Sequence, residues 1–316
     1  MKYKLLFPIL ALALALLACN LTGTPTAPSP VPPVVTATNT APTLAPTGTS
    51  TLPAPTSAPT GLTLDVLRNA TYFAPVFKRT VTLVNGAFSV NNGTDTYSVQ
   101  MLNVYALGDL NGDGVDDAAV ILMEDDGGTG RFESVVAVYN TAGAPVQAGQ
   151  AILGDRVLVN SVDISSNAIH LDILAQGPSD PMCCPSLAQK QTYWMIATTL
   201  WQMRVTSTVG GSEHVINITS PAEWADVNNP FTITGAVPIS PFENTLAYHI
   251  YLPNGTKVND ASLMVTSGGM GTPGTFSQTF NLSSAGITGY VIIQFVEVSM
   301  ADGSTIALGS ALVNVH

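Results

Sequence analysis

A long proline-rich tract limits where this chain can fold. Residues 20–60 are dominated by Thr, Pro and Ala and contain no charged side chain. Proline has no backbone N–H to donate, so its recurrence through the tract blocks both helix and sheet. The sequence therefore predicts a disordered stalk, roughly 120 Å long when fully extended, and leaves a folded core to the residues after 60.

The N-terminus has the parts of an export signal. Two lysines within the first four residues give a positive start, and the apolar run over residues 5–18 is too short for a membrane anchor. The run Leu16-Leu17-Ala18-Cys19 resembles a lipobox, which implies a lipid attached to Cys19. We expect a lipoprotein signal peptide over residues 1–19 and an extracytoplasmic chain, lipid-anchored to the bacterial cell membrane. An ordinary signal peptide that contains a cysteine is the alternative.

The chain is acidic. Loss of the two signal lysines leaves eight basic residues against 21 acidic ones, a net charge of −13. So few positive charges argue against binding to nucleic acid, whose phosphate backbone requires clustered Lys and Arg. An acidic surface is suited instead to solvent exposure and to divalent cations.

Residues 61–208 are predicted to form one antiparallel β domain, with a short helix near residues 64–70. Asn85-Gly86 is a strong hairpin signal between strand-like runs at 80–83 and 88–90. Other runs that are typical of strands lie at 104–107, 118–123, 135–139, 157–162, 169–174 and 193–205. The fold class is therefore mainly β.

Residues 213–316 contain seven short strand-like runs separated by turn residues. They begin near Val215, Phe231, Thr245, Ala261, Thr275, Tyr290 and Thr305. Seven strands in about 100 residues are typical of an immunoglobulin-like β-sandwich. This region has no cysteine, so packing alone must hold its sheets together, and we expect Phe242 and Phe276 in its core.

Several motifs in this region carry a family resemblance. They are Ile216-Asn217-Ile218-Thr219-Ser220-Pro221, Phe231-Thr232-Ile233-Thr234-Gly235, Pro241-Phe242-Glu243-Asn244-Thr245-Leu246, Gly274-Thr275-Phe276 and Ala301-Asp302-Gly303-Ser304. Together they resemble the immunoglobulin-like domain of bacterial spore germination proteins, over about a third of the chain. The resemblance implies a sandwich used for contacts outside the cytoplasm, and it does not imply that the organism sporulates.

The run from Gly108 to Asp117 has the spacing of a calcium loop. Oxygen ligands at alternate positions would come from the side chains of Asp109, Asn111, Asp113 and Asp117 and from the carbonyl of Val115. An EF-hand loop has Glu at its twelfth position, whereas this loop has Val120 there. The sequence on each side of the loop is typical of strands instead of helices. The loop therefore resembles the calcium hairpins of FG-GAP repeats. A single copy predicts one structural calcium ion and no propeller, and a metal-free turn is the alternative.

Cys183 and Cys184 are the remaining thiols once Cys19 carries a lipid. Consecutive Cα atoms lie about 3.8 Å apart, below the usual range for disulfides, although oxidation is favoured outside the cell. Three interpretations stay open: a vicinal disulfide, two packed free thiols, or a redox or metal site.

Catalytic signatures are weak. The sequence has no Gly-x-Ser-x-Gly, no His-Glu-x-x-His and no phosphate-binding glycine loop, and its four histidines are scattered. This favours a non-enzymatic role in binding, adhesion or envelope scaffolding. The expected partners are the membrane, through the lipid, and a cell-wall polymer or another surface protein. The alternative is an extracytoplasmic enzyme or redox protein with its site in residues 61–208.

Overall fold

The structure is a computed structural model that describes residues 61–93 and 95–316. The predicted signal peptide, Cys19 and the predicted stalk lie outside the described residues. Within the described part of the chain, no helix is long and apolar enough to cross a membrane. As predicted, the fold is mainly β, with a single turn-and-a-half helix before the first strand.

The elements follow one another with short connections. The helix is α1 (Leu64–Arg68), and two 3-10 turns lie at Phe242–Asn244 and Ser283–Ala285. The strands are β1 (Thr71–Ala74), β2 (Arg79–Thr82), β3 (Ala87–Asn91), β4 (Thr96–Gly108), β5 (Asp117–Asp125), β6 (Phe132–Thr141), β7 (Ala144–Asp155), β8 (Leu158–Ser165), β9 (Ala168–Ala175), β10 (Leu187–Ile196), β11 (Thr199–Val209), β12 (Ser212–His214), β13 (Asn217–Ser220), β14 (Ala225–Val227), β15 (Phe231–Val237), β16 (Thr245–Tyr251), β17 (Lys257–Met264), β18 (Thr266–Ser267), β19 (Gly274–Phe280), β20 (Gly289–Val298) and β21 (Thr305–Val315).

Strand β5 is buried on both faces because layers pack on each side of its sheet, whose order is β3-β4-β5-β6-β7. One face, which includes Val120 and Leu122, packs against α1 and the β1–β2 hairpin. The other face, which includes Ala119 and Ile121, packs against β9, β10 and β11. Apolar residues therefore run continuously along β5 instead of alternating with polar ones.

A second sheet extends through both regions that the sequence analysis separated. Its strand order is β17-β16-β20-β21-β11-β10-β9-β8, and we call it the shared sheet. Strands β11 and β21 are antiparallel, with Arg204 opposite Gly309 and Val205 opposite Leu308. Strand β12 adds to β11, and β14 runs parallel to β21. Hydrogen bonds between main chains thus connect residues 61–208 with residues 213–316.

Buried polar side chains cross this junction. The Gln189 Nε2 donates to the carbonyl of Thr305 (3.0 Å) and to the hydroxyl of Ser207 (3.1 Å). The Ser207 hydroxyl in turn donates to the carbonyl of Ile306. Because Gln189 and Ser207 are buried, losing one partner leaves a polar group unpaired in the interior, which costs about 1–3 kcal/mol.

The C-terminal sandwich forms between the shared sheet and a four-stranded sheet of order β13-β15-β19-β18. Aromatic side chains fill the space between them, with the rings of Phe276 and Phe295 4.9 Å apart. All seven runs predicted from the sequence are strands, and β14 and β18 are additional short ones. Phe276 is buried, as expected.

The expectation for Phe242 was wrong, because its side chain is 53% exposed. It opens a 3-10 turn in which Glu243 and Asn244 both have a φ of 53°. This left-handed turn places the ring of Phe242 at the surface instead of at one end of the core.

The predicted hairpin around Asn85-Gly86 was wrong in its strand pairing. The turn itself forms, with positive φ at both residues and a bridge between Val84 and Ala87. The flanking strands then diverge: β2 pairs with β1, whereas β3 pairs with β4. The local turn signal was correct, and the pairing was decided by contacts distant in sequence.

Replacement of Gly309 by Ala tests the junction. A Cβ at this position would lie 2.4 Å from the Ile216 carbonyl oxygen and 3.1 Å from its side chain. A backbone atom cannot move aside easily, so we expect a loss of about 1–3 kcal/mol in the free energy of unfolding, measured by denaturant titration. Gly268→Ala is the control, because its Cβ would meet nothing closer than 3.7 Å. Equal stability of the two variants would contradict the packing described here.

Candidate functional site

The acidic loop, residues 109–117, connects β4 to β5, which pair as predicted with Gly108 opposite Asp117. The Asp109 carboxylate accepts hydrogen bonds from the backbone N–H groups of Gly114 (2.9 Å), Gly112 (2.6 Å) and Asn111 (3.2 Å). These bonds, that of Gly114 first, hold the pKa of the Asp109 carboxyl below its usual value. The Asp109 carboxylate therefore holds the backbone of the loop in a tight turn.

Asn111 and Asp113, the next polar side chains, also accept hydrogen bonds from backbone N–H groups of the loop. The Asn111 Oδ1 accepts from the backbone N–H of Asp113 (2.8 Å), and the Asp113 Oδ1 accepts from that of Val115 (2.8 Å). The Asn111 amide also donates to the Asp113 Oδ2 (3.1 Å). Asn111 and Asp113 are exposed, so their remaining lone pairs face solvent.

Asp117 differs from the other predicted calcium ligands because it is fully buried. Its carboxylate accepts from the backbone N–H groups of Leu110 (3.0 Å) and Asn140 (2.9 Å). Burial raises the pKa of this carboxyl despite those bonds. In the described part of the chain, no three acidic, His or Cys side chains converge closely enough to hold a metal. Asp117 thus ties the acidic loop to the end of β6.

Cys183 and Cys184 lie in an exposed loop between β9 and β10, and the structure pairs them as a vicinal disulfide. Asp180 organises this loop. Its carboxylate accepts from the backbone N–H groups of Gly177 and Ser186, both at 2.7 Å, and from the Ser186 hydroxyl at 2.6 Å. The loop geometry therefore depends on Asp180 as well as on the cysteines.

The outer face of β8–β11 has a shallow depression of about 400 Å³. Its ionisable lining residues are Asp163, His170, Asp172, Lys190 and Arg204. The His170 Nδ1 lies 3.2 Å from the Thr192 hydroxyl oxygen. His214 and His316 lie elsewhere, beside Glu297 and Asp226 respectively. This depression is where residues 61–208 gather several ionisable groups.

A second concave surface, the junction cleft, has a volume of about 390 Å³. It is lined by Leu110, Ser166, Asn167, Trp194, Met195, Glu223 and Trp224. The first five belong to residues 61–208, and the last two belong to the C-terminal sandwich. The pairing of β11 with β21 brings these walls together.

Aromatic rings form a row along the junction cleft. Trp194 and Trp224 are stacked, with ring centroids 6.3 Å apart and planes 7° from parallel. Tyr290 meets Trp224 edge-on at 5.5 Å. Trp224 and Tyr290 are 48% and 44% exposed, although burial of such rings would be strongly favourable. Exposed aromatic side chains that contact one another in this way are typical of interaction sites.

Trp224 has an unusual backbone conformation, with a φ of 64°. The left-handed region is disfavoured for a bulky residue and costs about 1–3 kcal/mol. The surrounding chain enforces it: the Trp224 N–H donates to the Leu312 carbonyl at 2.7 Å, and β14 begins at the next residue. Strain that the fold enforces in this way concentrates at functional sites.

Glu223 supplies a carboxylate at the cleft, and no hydrogen-bond donor to it is found among the described residues. Desolvation by the surrounding side chains raises the pKa of this exposed carboxyl, and the positive charge of Arg204 opposes the shift. The cleft also shares a wall with the acidic loop, because the Asn167 amide donates to the Asp109 carbonyl at 3.2 Å.

This cleft was not predicted from the sequence. Trp194 and Trp224 are 30 positions apart, with no motif that connects them. Together with Tyr290 they are three of the 22 aromatic residues that are scattered along the chain, so the sequence has no signal that groups them. Their proximity depends on the β11–β21 pairing, which local patterns do not reveal.

Comparison with known families identifies the C-terminal sandwich. Residues 215–304 match the family model Gmad2, described as the immunoglobulin-like domain of bacterial spore germination. The match confirms the resemblance for these residues and ends one residue before β21. No curated protein and no solved structure matches the chain.

Proposed function

We propose that the protein is a lipid-anchored surface protein whose role is to bind through the junction cleft, without catalysis. The observation that carries the proposal is the cleft itself, an open aromatic and polar surface whose walls come from both halves of the folded chain. Main-chain pairing in the shared sheet fixes these walls relative to each other. A preformed surface of this kind binds without a large ordering cost.

The location outside the cytoplasm is proposed from the sequence. The lipobox-like run ends at Cys19, and residues 20–60 have the composition of a stalk. Residues 215–304 match a family of immunoglobulin-like domains of bacterial spore germination, and this match supports a location at the cell envelope. In this arrangement the lipid holds the chain at the membrane, and the stalk carries the cleft towards a cell-wall polymer or another surface protein.

Lipid anchoring is tested by replacing Cys19. We expect the unaltered chain to partition into the detergent phase of a cell extract, because an attached diacylglycerol is strongly apolar. Cys19→Ala removes the attachment point and should leave the protein in the aqueous phase or block its maturation. Unchanged partitioning of the variant would contradict the lipid anchor.

Binding through the cleft is tested with residues 20–316, called the mature chain below, which lack Cys19 and therefore its lipid. We expect it to sediment saturably with isolated envelopes of its own bacterium. Trp224→Ala should abolish most of this binding, because it removes the central ring of the aromatic row. Phe242→Ala is the control, since this exposed ring lies outside the cleft. Equal sedimentation of the two variants, or none by the unaltered chain, would overturn the proposal.

A structural calcium ion in the acidic loop is a further part of the proposal. The side-chain oxygens of Asp109, Asn111 and Asp113 follow one another around the turn and retain free lone pairs. A carbonyl from Val115 completes the series expected for a hard cation. Asp117 is buried and its carboxylate already accepts from Leu110 and Asn140, so it would contribute through a remaining lone pair or through water.

Calcium binding is tested by thermal unfolding of the mature chain in excess calcium and in excess chelator. We expect calcium to raise the melting temperature. At a hundredfold excess over the dissociation constant, binding to the folded state alone adds roughly 2.7 kcal/mol to the free energy of unfolding. Asp113→Ala should abolish this response. Asp116→Ala should keep it, because Asp116 is outside the ligand series. Identical melting curves of the unaltered chain in calcium and chelator would show that the loop is a metal-free turn.

The alternative function is an extracytoplasmic enzyme or redox protein. The depression on the outer face of β8–β11 favours an enzyme, because His170 lies there beside acidic and basic side chains. The exposed Cys183–Cys184 pair favours redox chemistry. Loss of envelope binding in His170→Ala, with binding intact in Trp224→Ala, would place the functional site in this depression instead of the junction cleft.

A further inference from the structure

We propose that the junction cleft binds a neutral saccharide. This inference rests on the proposed binding function and names the ligand class for the same site. It follows from three properties of the cleft: the orientation of its aromatic rings, the chemistry of its polar lining, and its balance of charge.

The aromatic rings favour a ligand with a flat apolar face. Trp194 and Trp224 are nearly parallel, and Trp224 is half exposed beside the cleft. A pyranose ring has one face on which C–H bonds predominate, and this face stacks on an indole ring while its hydroxyl groups point outward. The strained, fixed backbone of Trp224 holds the ring ready for such stacking.

The polar lining favours hydroxyl groups. Ser166 has a hydroxyl, Asn167 has an amide, and Glu223 has a carboxylate, so the cleft offers both donors and acceptors. Each sugar hydroxyl donates and accepts at once, and it therefore requires both kinds of partner. A cationic ligand would use acceptors alone and would leave the donors unpaired.

The charge and ring geometry argue against a quaternary ammonium ligand. Cages for such cations surround them with ring faces from several directions, whereas Trp194 and Trp224, the two rings that line the cleft, have planes that differ by only 7°. Glu223 is the one carboxylate among the residues that line the cleft, and the positive charge of Arg204 acts on it in the opposite direction to desolvation. The cleft is therefore better suited to an uncharged ligand.

The size of the cleft indicates a short segment of an oligosaccharide. Its volume of about 390 Å³ lies near the lower end of the range for small-molecule sites. The aromatic row continues beyond the cleft to Tyr290, which contacts Trp224 but does not line the cavity. One sugar unit would occupy the cleft, and a neighbouring unit would lie over Tyr290.

Isothermal titration calorimetry of the mature chain tests this inference. The probes are three neutral tetrasaccharides, of β-1,4-linked glucose, β-1,4-linked N-acetylglucosamine and α-1,4-linked glucose, and tetramethylammonium chloride as the cationic probe. We expect saturable binding of at least one tetrasaccharide, with an affinity that is independent of salt because the ligand is uncharged. Binding of tetramethylammonium alone, or of no probe, would overturn the inference.

Variants locate the site. Trp224→Ala should weaken saccharide binding at least about tenfold, as expected for a central Trp contact. Glu223→Gln, which preserves shape, should weaken it about threefold to tenfold by removing a charge-assisted hydrogen bond. Phe242→Ala should leave it unchanged. The unfolding curve of Trp224→Ala shows whether this variant folds. If it does not fold, the affinity of Glu223→Gln tests the site instead. An affinity equal to that of the unaltered chain would place the saccharide elsewhere and overturn the assignment.

The outcomes separate this inference from the proposed function. If envelope sedimentation depends on Trp224 but no tetrasaccharide binds, the binding function stands and the ligand class is wrong. If a tetrasaccharide binds in the cleft but the chain does not sediment with envelopes, the ligand class stands and the envelope role is wrong.

Discussion

The pairing of β11 with β21 is the contact on which the arrangement of the molecule depends. It involves only two directly opposed residue pairs, Arg204 with Gly309 and Val205 with Leu308. Those pairs nevertheless make one sheet from strands of both regions. They also bring Trp194 close to Trp224, so the junction cleft depends on this pairing.

Buried polar groups give that pairing its register. Apolar side chains alone would tolerate a shift along the strand, whereas Gln189 and Ser207 each require a particular main-chain carbonyl of β21. Gly309 adds a steric requirement, because the Ile216 carbonyl oxygen lies too close to leave room for a Cβ at this position. Hydrogen bonding and close packing therefore specify the same alignment, which is the condition for a single well-defined cleft.

Local sequence patterns predicted much of the fold, because strands and turns are encoded by neighbouring residues. The β4–β5 hairpin, strands β8 and β9, and the seven main strands of the C-terminal sandwich formed where expected. Strand β7 was not predicted, since its Ala- and Gly-rich sequence has little apolar alternation. The cleft was missed for a different reason: its residues come from separate elements and meet only after long-range pairing. The acidic loop, in contrast, was found because all its residues are contiguous.

The edge of the C-terminal sandwich is completed by a strand from outside it. The outer edge of β21 is covered by β14 near its end, at residues 313–315, and by β11 at residues 308 and 309. A recombination event that moved the sandwich without β11 would leave part of this edge with unpaired main-chain groups. Open edges of that kind recruit strands from other molecules and promote aggregation. The strand β11 therefore completes the edge of the sandwich in this protein, although it lies outside residues 213–316.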